Sequence, residues 1–247
     1  MEYGFLIPVY SHHGKSCYEE VCILLKYGLP IIIVDDGSDE DTKIWLKKAA
    51  ELDKLVDLIV LEKNIGKGGA LIKGIKRAHE VGISYVLQID ADNQHDINRV
   101  QHFIDLSKKN PGCAIVGYPE YDETVPASRM NGRKVANNYV HFVTMNKNSV
   151  VDSMCGFRIY PVEETYKVVS HGHWDYRMGF DIEILVKMYW HRINMVSESV
   201  KVTYPEGSTS NFHMFRDNAR ISFVFAKLTL GMFLHIPSLI AMRKKQK

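Results

Sequence analysis

Apolar runs of strand length alternate with stretches of helical period through the first half of the chain. Tyr3–Val9, Ile31–Val34, Leu55–Leu61, Tyr85–Ile89 and Ala114–Tyr118 are the apolar runs, and their length predicts five strands. Between them, Ser16–Tyr27, Asp39–Leu52, Gly68–His79 and Ile97–Lys108 carry apolar residues at i, i+3 and i+4, the signature of one buried helix face. Strands and helices in strict alternation predict an α/β fold, a mainly parallel sheet flanked by helices on both faces. Ligands of such sheets gather beyond the carboxyl ends of the strands. In this chain the residues just after each strand are polar.

The second half is less regular. It predicts a helix near Arg133–Met145, an extended Val150–Tyr160, helices near Glu163–Val169 and Met178–His191, and a strand over Asn194–Thr203. No repeat or low-complexity linker divides it. Residues 1–212 therefore read as one domain and residues 213–247 as a C-terminal helical extension.

At 247 residues, 46% hydrophobic and 24% charged, the chain can bury a sizeable core without staples. Disordered, collagen-like and disulfide-scaffold classes are excluded. With 31 basic against 29 acidic side chains, the balance argues against a nucleic-acid partner. The four cysteines form no CxxC pair, which suits a reducing cytoplasm. Glu2 and Pro8 break the N-terminal apolar run where an export signal needs cations and continuity.

Several motifs stand at the strand ends. Gly14-Lys15-Ser16 is no phosphate loop, because Val9 occupies the position of the earlier glycine. Gly66-Lys67-Gly68-Gly69 is no dinucleotide fingerprint, because Leu71 occupies the third glycine position. What remains is a helix start whose N–H groups, with Lys67, can meet a phosphate or ribose. Asp35 and Asp36 leave the second strand, where a carboxylate can accept a base N–H or ribose hydroxyl. Ser38 or Asp39 caps the helix that follows.

The segment Gln88-Ile89-Asp90-Ala91-Asp92-Asn93-Gln94 runs from a buried strand directly into Asp-x-Asp. Magnesium or manganese takes oxygen ligands, often one or two carboxylates with waters and substrate phosphates. Asp92 with Gln94 can supply such a partial shell, and Asp90 can orient it or reach the ribose. The same residues also read as an acidic turn capping the next helix.

Taken in order, IPVY, VDDGS, NxGKGGAL, DADNQHD, DSMCGFR and FDIEI resemble the family 2 glycosyltransferases of GT-A fold across roughly residues 4–210. Within that family the chain resembles the polyprenyl-phosphate sugar transferases of the dolichyl-phosphate mannose synthase type, which share DADxQH and GFR. The resemblance implies a nucleotide-diphosphate sugar donor, Mg2+ or Mn2+ on its diphosphate, and inversion at the anomeric carbon. It assigns Pro8, Tyr10, Asp35, Asp36 and Lys67 to the nucleoside pocket, and Asp90, Asp92 and Gln94 to ribose, diphosphate and metal. Ser11-His12-His13 departs from the family's usual Asn-Glu after IPVY. Arg158 is expected to stabilise the departing charge. Asp152, Asp181 and Glu183 are the candidate acids for an acceptor hydroxyl, with Asp181 favoured; a phosphate acceptor needs no base. Arg129 and Arg133 fall where lipid-phosphate transferases keep basic residues.

From Ile221 to Met242 the chain is apolar apart from Lys227, His235 and small polar residues, and a basic cluster ends it. Over residues 205–247 seven cations face two acids. The longest stretch there without Lys or Arg, Leu228–Met242, has 15 residues against the roughly 18 of a spanning helix. Interfacial attachment is therefore expected, with a helix buried against the transferase domain or a dimer partner as the competing reading. Arg216, Arg220 and Lys227 would form a basic stripe within about 40° of one helix face. Ser208–Ile221 resembles the tail of small family 2 transferases that serve acyl-lipid assembly, which would place His213 and Arg216 at the acceptor entrance. The overall expectation is a metal-dependent inverting glycosyltransferase, peripheral on the cytoplasmic face of the membrane, with a lipid-linked acceptor. A homo-oligomer is left open. Nucleotidyl transfer and a non-catalytic sugar-nucleotide-binding membrane scaffold are the rival readings.

Overall fold

A computed structural model describes residues 2–121, 127–203 and 214–245. Seven strands form one sheet: β1 (Tyr3–Val9), β2 (Ile31–Asp35), β3 (Val56–Val60), β4 (Tyr85–Gln88), β5 (Ala114–Tyr121), β6 (Arg158–Pro161) and β7 (Met195–Val202), in the spatial order β3-β2-β1-β4-β6-β5-β7. All pairings are parallel except those of β6, which runs antiparallel to both β4 and β5. Alternation along each strand feeds two cores. Phe5, Ile7, Ile31 and Ile33 face one layer, while Leu6, Ile32 and Val34 face the other.

The helices are α1 (Gly14–Leu24), α2 (Glu40–Ala50), α3 (Lys67–Glu80), α4 (Val100–Lys109), α5 (Ala127–Thr144), α6 (Val162–Val169), α7 (Phe180–Trp190) and α8 (Met214–Lys245). Asp39 caps α2 as its sequence position predicts, its Oδ1 accepting the Thr42 N–H at 2.8 Å. The extended Val150–Tyr160 is corrected: only Arg158–Pro161 is strand. The preceding residues turn because Asp152 Oδ1 accepts the N–H groups of Met154 and Cys155, drawing the backbone off the ladder.

α8 is packed against the domain. Val224, Leu228, Met232 and Leu239 are buried in the larger core layer, each contributing about 2 kcal/mol by apolar burial. Phe225 stacks on Tyr139 of α5 with ring centroids 3.8 Å apart, and His235 stacks on Trp190 of α7 at 4.4 Å. The stretch Arg216–Arg243 is long and apolar enough to cross a membrane by length and composition. Counting from charge to charge stops at Lys227 and leaves only Leu228–Met242, whereas the longer stretch includes that one lysine, whose ammonium is taken up by Glu183 at 2.7 Å. The expected basic stripe is therefore broken, with Lys227 turned into the protein. The opposite face exposes Phe223, Leu230, Phe233 and Leu234.

Candidate active site

The carboxyl ends of β1, β2 and β4 open into a cavity of about 600 Å³, closed on the far side by residues before α7 and by the first turn of α8. Pro8 and Tyr10 enter from β1, Asp36 from β2, Lys67 from the start of α3, and Asp90, Asp92 and Gln94 from the end of β4. Strand order brings them together: β1 lies between β2 and β4, so three polar termini converge. Gly66, with φ of 100°, makes the sharp entry into α3, where a Cβ would collide with the Tyr176 carbonyl.

Lys67 is the centre of the charge arrangement. Its Nζ donates to Asp90 Oδ2 at 2.9 Å and to Asp181 Oδ2 at 3.1 Å. Burial disfavours the ammonium, but the two carboxylates outweigh that and hold the lysine pKa above its ordinary value. Burial likewise opposes ionisation of Asp90, and Lys67 overcomes it, drawing that acid down to about 2. Asp92 behaves oppositely. Burial and the Asp90 charge push it up to about 6. Its Oδ1 accepts the Gln94 N–H at 3.1 Å.

Asp92 is thus a cavity-lining carboxylate whose anion is poorly compensated, the electrostatic condition a cation relieves. Among the described residues no group of three or more His, Cys, Asp or Glu can hold a metal by itself. Asp92 and Gln94 fit a partial shell completed by phosphate and water oxygens.

The other expected site residues are placed as follows. Asp36 lines the cavity, and its carboxylate accepts the Ile65 and Gly66 N–H groups and the Asn64 amide, so it shapes the loop before α3. Asp35 does not line it: the side chain is buried and accepts the Ser38 N–H at 2.9 Å, serving the turn. Asp181 is the counter-ion of Lys67 at 3.1 Å and is not among the residues lining the cavity. Arg158 is fully buried, donating to the Ser153 and Asp181 carbonyls at 2.9 Å, and cannot reach a departing diphosphate. Asp152 is buried and paired with Arg133 at 2.6 Å, so these two hold the turn before β6 and lie off the cavity. Arg216 lines the cavity from α8. Arg129 belongs to α5, but its side chain, like all of His213, lies outside the described residues.

Four cavity residues with polar or charged side chains went unassigned from sequence. Asn64 opens the NxGKGGAL motif; its Oδ1 accepts from Arg177 at 2.8 Å. Arg177, His13 and Asp217 complete the wall. Burial and the neighbouring His12 lower the His13 pKa, which favours its neutral form. No periodicity or motif marks Arg177, which reaches the cavity from an irregular loop.

An open α/β sheet with an aspartate-lined cavity at its strand ends is the arrangement of the GT-A fold. Solved structures agree: glucosyl-3-phosphoglycerate synthase from Mycobacterium tuberculosis, in complex with Mn2+ and uridine-diphosphate-glucose, superposes with a TM-score of 0.68 at 15% identity, over 94% of this chain and 78% of that one. The family model for glycosyl transferase family 2 matches residues 15–167, and the chain belongs to that family. A dolichyl-phosphate beta-glucosyltransferase of Dictyostelium discoideum is 30% identical over 213 residues, 81% of this chain. The match spans 64% of that protein's length. A UDP-N-acetylglucosamine--dolichyl-phosphate N-acetylglucosaminyltransferase of Methanococcus voltae is 29% identical, over 83% of this chain and 86% of that protein. The resemblance drawn from the six motifs is borne out at the level of family and fold.

Proposed function

We propose that the cavity binds a nucleotide-diphosphate sugar with Mg2+ or Mn2+ on its diphosphate, and that the protein transfers the sugar with inversion to a lipid-linked phosphate or hydroxyl. The observation that carries this reading is the division of the Asp-x-Asp pair: Asp90 neutralised by Lys67, Asp92 left facing the cavity with its pKa raised to about 6. A dication bound there would supply charge that stabilises a departing nucleoside diphosphate by several kcal/mol. Pro8, Tyr10 and Asp36 would border the nucleoside, Arg177 and Arg216 face the cavity as further cations, and Asp92 with Gln94 would hold the metal.

In the transfer, an acceptor oxygen forms a bond to the anomeric carbon while the bond from that carbon to the diphosphate breaks. An acceptor phosphate already carries the attacking charge, so no base is required. That agrees with Asp181 being committed to Lys67 at 3.1 Å. The names of the relatives support a polyprenyl-phosphate acceptor. So does the exposed apolar face of α8, which suits an interfacial helix whose first turn stands at the cavity wall. On this reading the protein is peripheral on the cytoplasmic face of the membrane.

A thermal-shift panel of nucleoside diphosphates and their sugars with manganese names the donor, since a ligand of the folded state raises the melting temperature. Turnover of that donor with a polyprenyl phosphate should release the nucleoside diphosphate. Release of pyrophosphate instead would establish nucleotidyl transfer and sink the reading.

A further inference from the structure

Two walls of the cavity come from elements far apart in sequence. Arg177 and Met178 belong to the loop before α7, whereas Arg216 and Asp217 open α8. Both walls are tied to one buried group. Glu183 is fully buried on α7, and its Oε2 accepts the Asp175 N–H at 2.9 Å. Its Oε1 lies 2.6 Å from Lys187 Nζ and 2.7 Å from Lys227 Nζ. Both ammonium groups also donate to the His173 carbonyl, at 3.2 and 3.1 Å. Lys187 lies 3.7 Å from the centroid of the Trp174 ring. Asp175 in turn accepts the Gly179 N–H through Oδ2 at 2.8 Å.

A carboxylate removed from water and shared by two ammonium groups is stable only while both remain in place, because loss of either leaves buried charge uncompensated. One ammonium rides on α7 and the other on α8. The loop is held by the same carboxylate through Asp175, and by the same lysines through His173. Arg177 donates to the Asn64 side chain at 2.8 Å, and Arg216 approaches its neighbour Asp217 at 4.0 Å.

Resting on the donor-site reading above, we infer that Glu183 is a positioning residue for the transfer site: through Lys227 and Asp175 it sets where the cavity cations Arg216 and Arg177 stand, and so couples docking of α8 to donor binding.

The test is hydrogen exchange of the full chain together with calorimetric titration by manganese uridine diphosphate. Lys227→Met should speed exchange over residues 216–228 by about tenfold, speed it less over residues 170–179, which keep Lys187 and Glu183, and weaken the nucleotide by roughly fivefold. Lys227→Arg, which keeps the charge, should restore both. Glu183→Gln should speed exchange in both segments and weaken the nucleotide further. Wild-type exchange in Lys227→Met, or faster exchange with wild-type nucleotide affinity, overturns the inference. If Glu183→Gln does not fold, the Lys227 pair decides. Should the wild-type protein itself ignore uridine diphosphate, the titration is run with the donor nucleotide found by melting. A panel in which none binds defeats the donor reading, and exchange in the Lys227 pair still decides whether Glu183 holds the walls.

Discussion

The ammonium of Lys67 stands 3.1 Å from Asp181 Oδ2, joining the first turn of α3 to the first turn of α7 across 114 residues of sequence. The same nitrogen holds Asp90 at 2.9 Å. Replacing it by the near-isosteric Lys67→Met leaves two carboxylates facing one another in a mostly buried site. The expected loss of stability is about 3 kcal/mol, read by urea unfolding. Because the substitution removes the cation that keeps Asp90 ionised, donor turnover should fall with it.

Removal of the cavity carboxylate has the opposite effect on the ligand-free protein. Asp92→Asn relieves an anion disfavoured by burial and by Asp90. The variant should melt at or slightly above the wild-type temperature at pH 7 while losing manganese binding, followed by electron paramagnetic resonance, and donor turnover. Normal turnover in the folded variant would sink the assignment of Asp92 to the metal.

The two aspartates give pH dependences of opposite sign. Asp90 is depressed to about 2 in the folded protein against roughly 4 unfolded. Its contribution is therefore complete above about pH 4 and lost as the pH falls toward 2. Asp92 is raised to about 6, so the folded state takes up its proton first, and ligand-free stability falls as the pH rises from about 4 to about 6. Protons and manganese compete for the same group, so manganese affinity should drop about tenfold per pH unit below about 6. A flat affinity between pH 5 and 7 would refute that competition.

The α8 helix should separate folding from membrane attachment. Its inner residues Val224 and Leu228 belong to the core, so deleting residues 221–247 should destabilise the whole domain. Replacing the outer Phe223, Leu230, Phe233 and Leu234 by serine touches residues 60–84% exposed. That variant should keep the wild-type melting temperature within a few degrees and lose flotation with anionic vesicles. Undiminished flotation would show that this face does not meet the bilayer.

Much of the fold was legible because its signals are local. The alternation of Phe5, Leu6 and Ile7 between two core layers is written in a period of two, and the Asp39 cap in a single residue type. The acidic turn after β4 was legible for the same reason. Arg158 and Asp181 were equally visible as charged residues, but their partners were not. Both face groups more than 20 residues away, and that packing commits them to those partners. Val150–Tyr160 was misread because its apolar composition suits a strand, while the Asp152 carboxylate bends it into a turn.

The sequence alone determined the layered α/β arrangement, the family, and the polar strand ends at which a ligand would be met, since each depends on residues a few positions apart. Only the tertiary structure decided which charges pair. It gave Lys67 to Asp90 and Asp181, left Asp92 facing the cavity, brought in the unmarked Arg177, and turned Lys227 inward to Glu183. The physical reason is that an ion pair's strength depends on distance and on the water excluded around it. Both are set by how distant segments pack, and neither leaves a period in the chain.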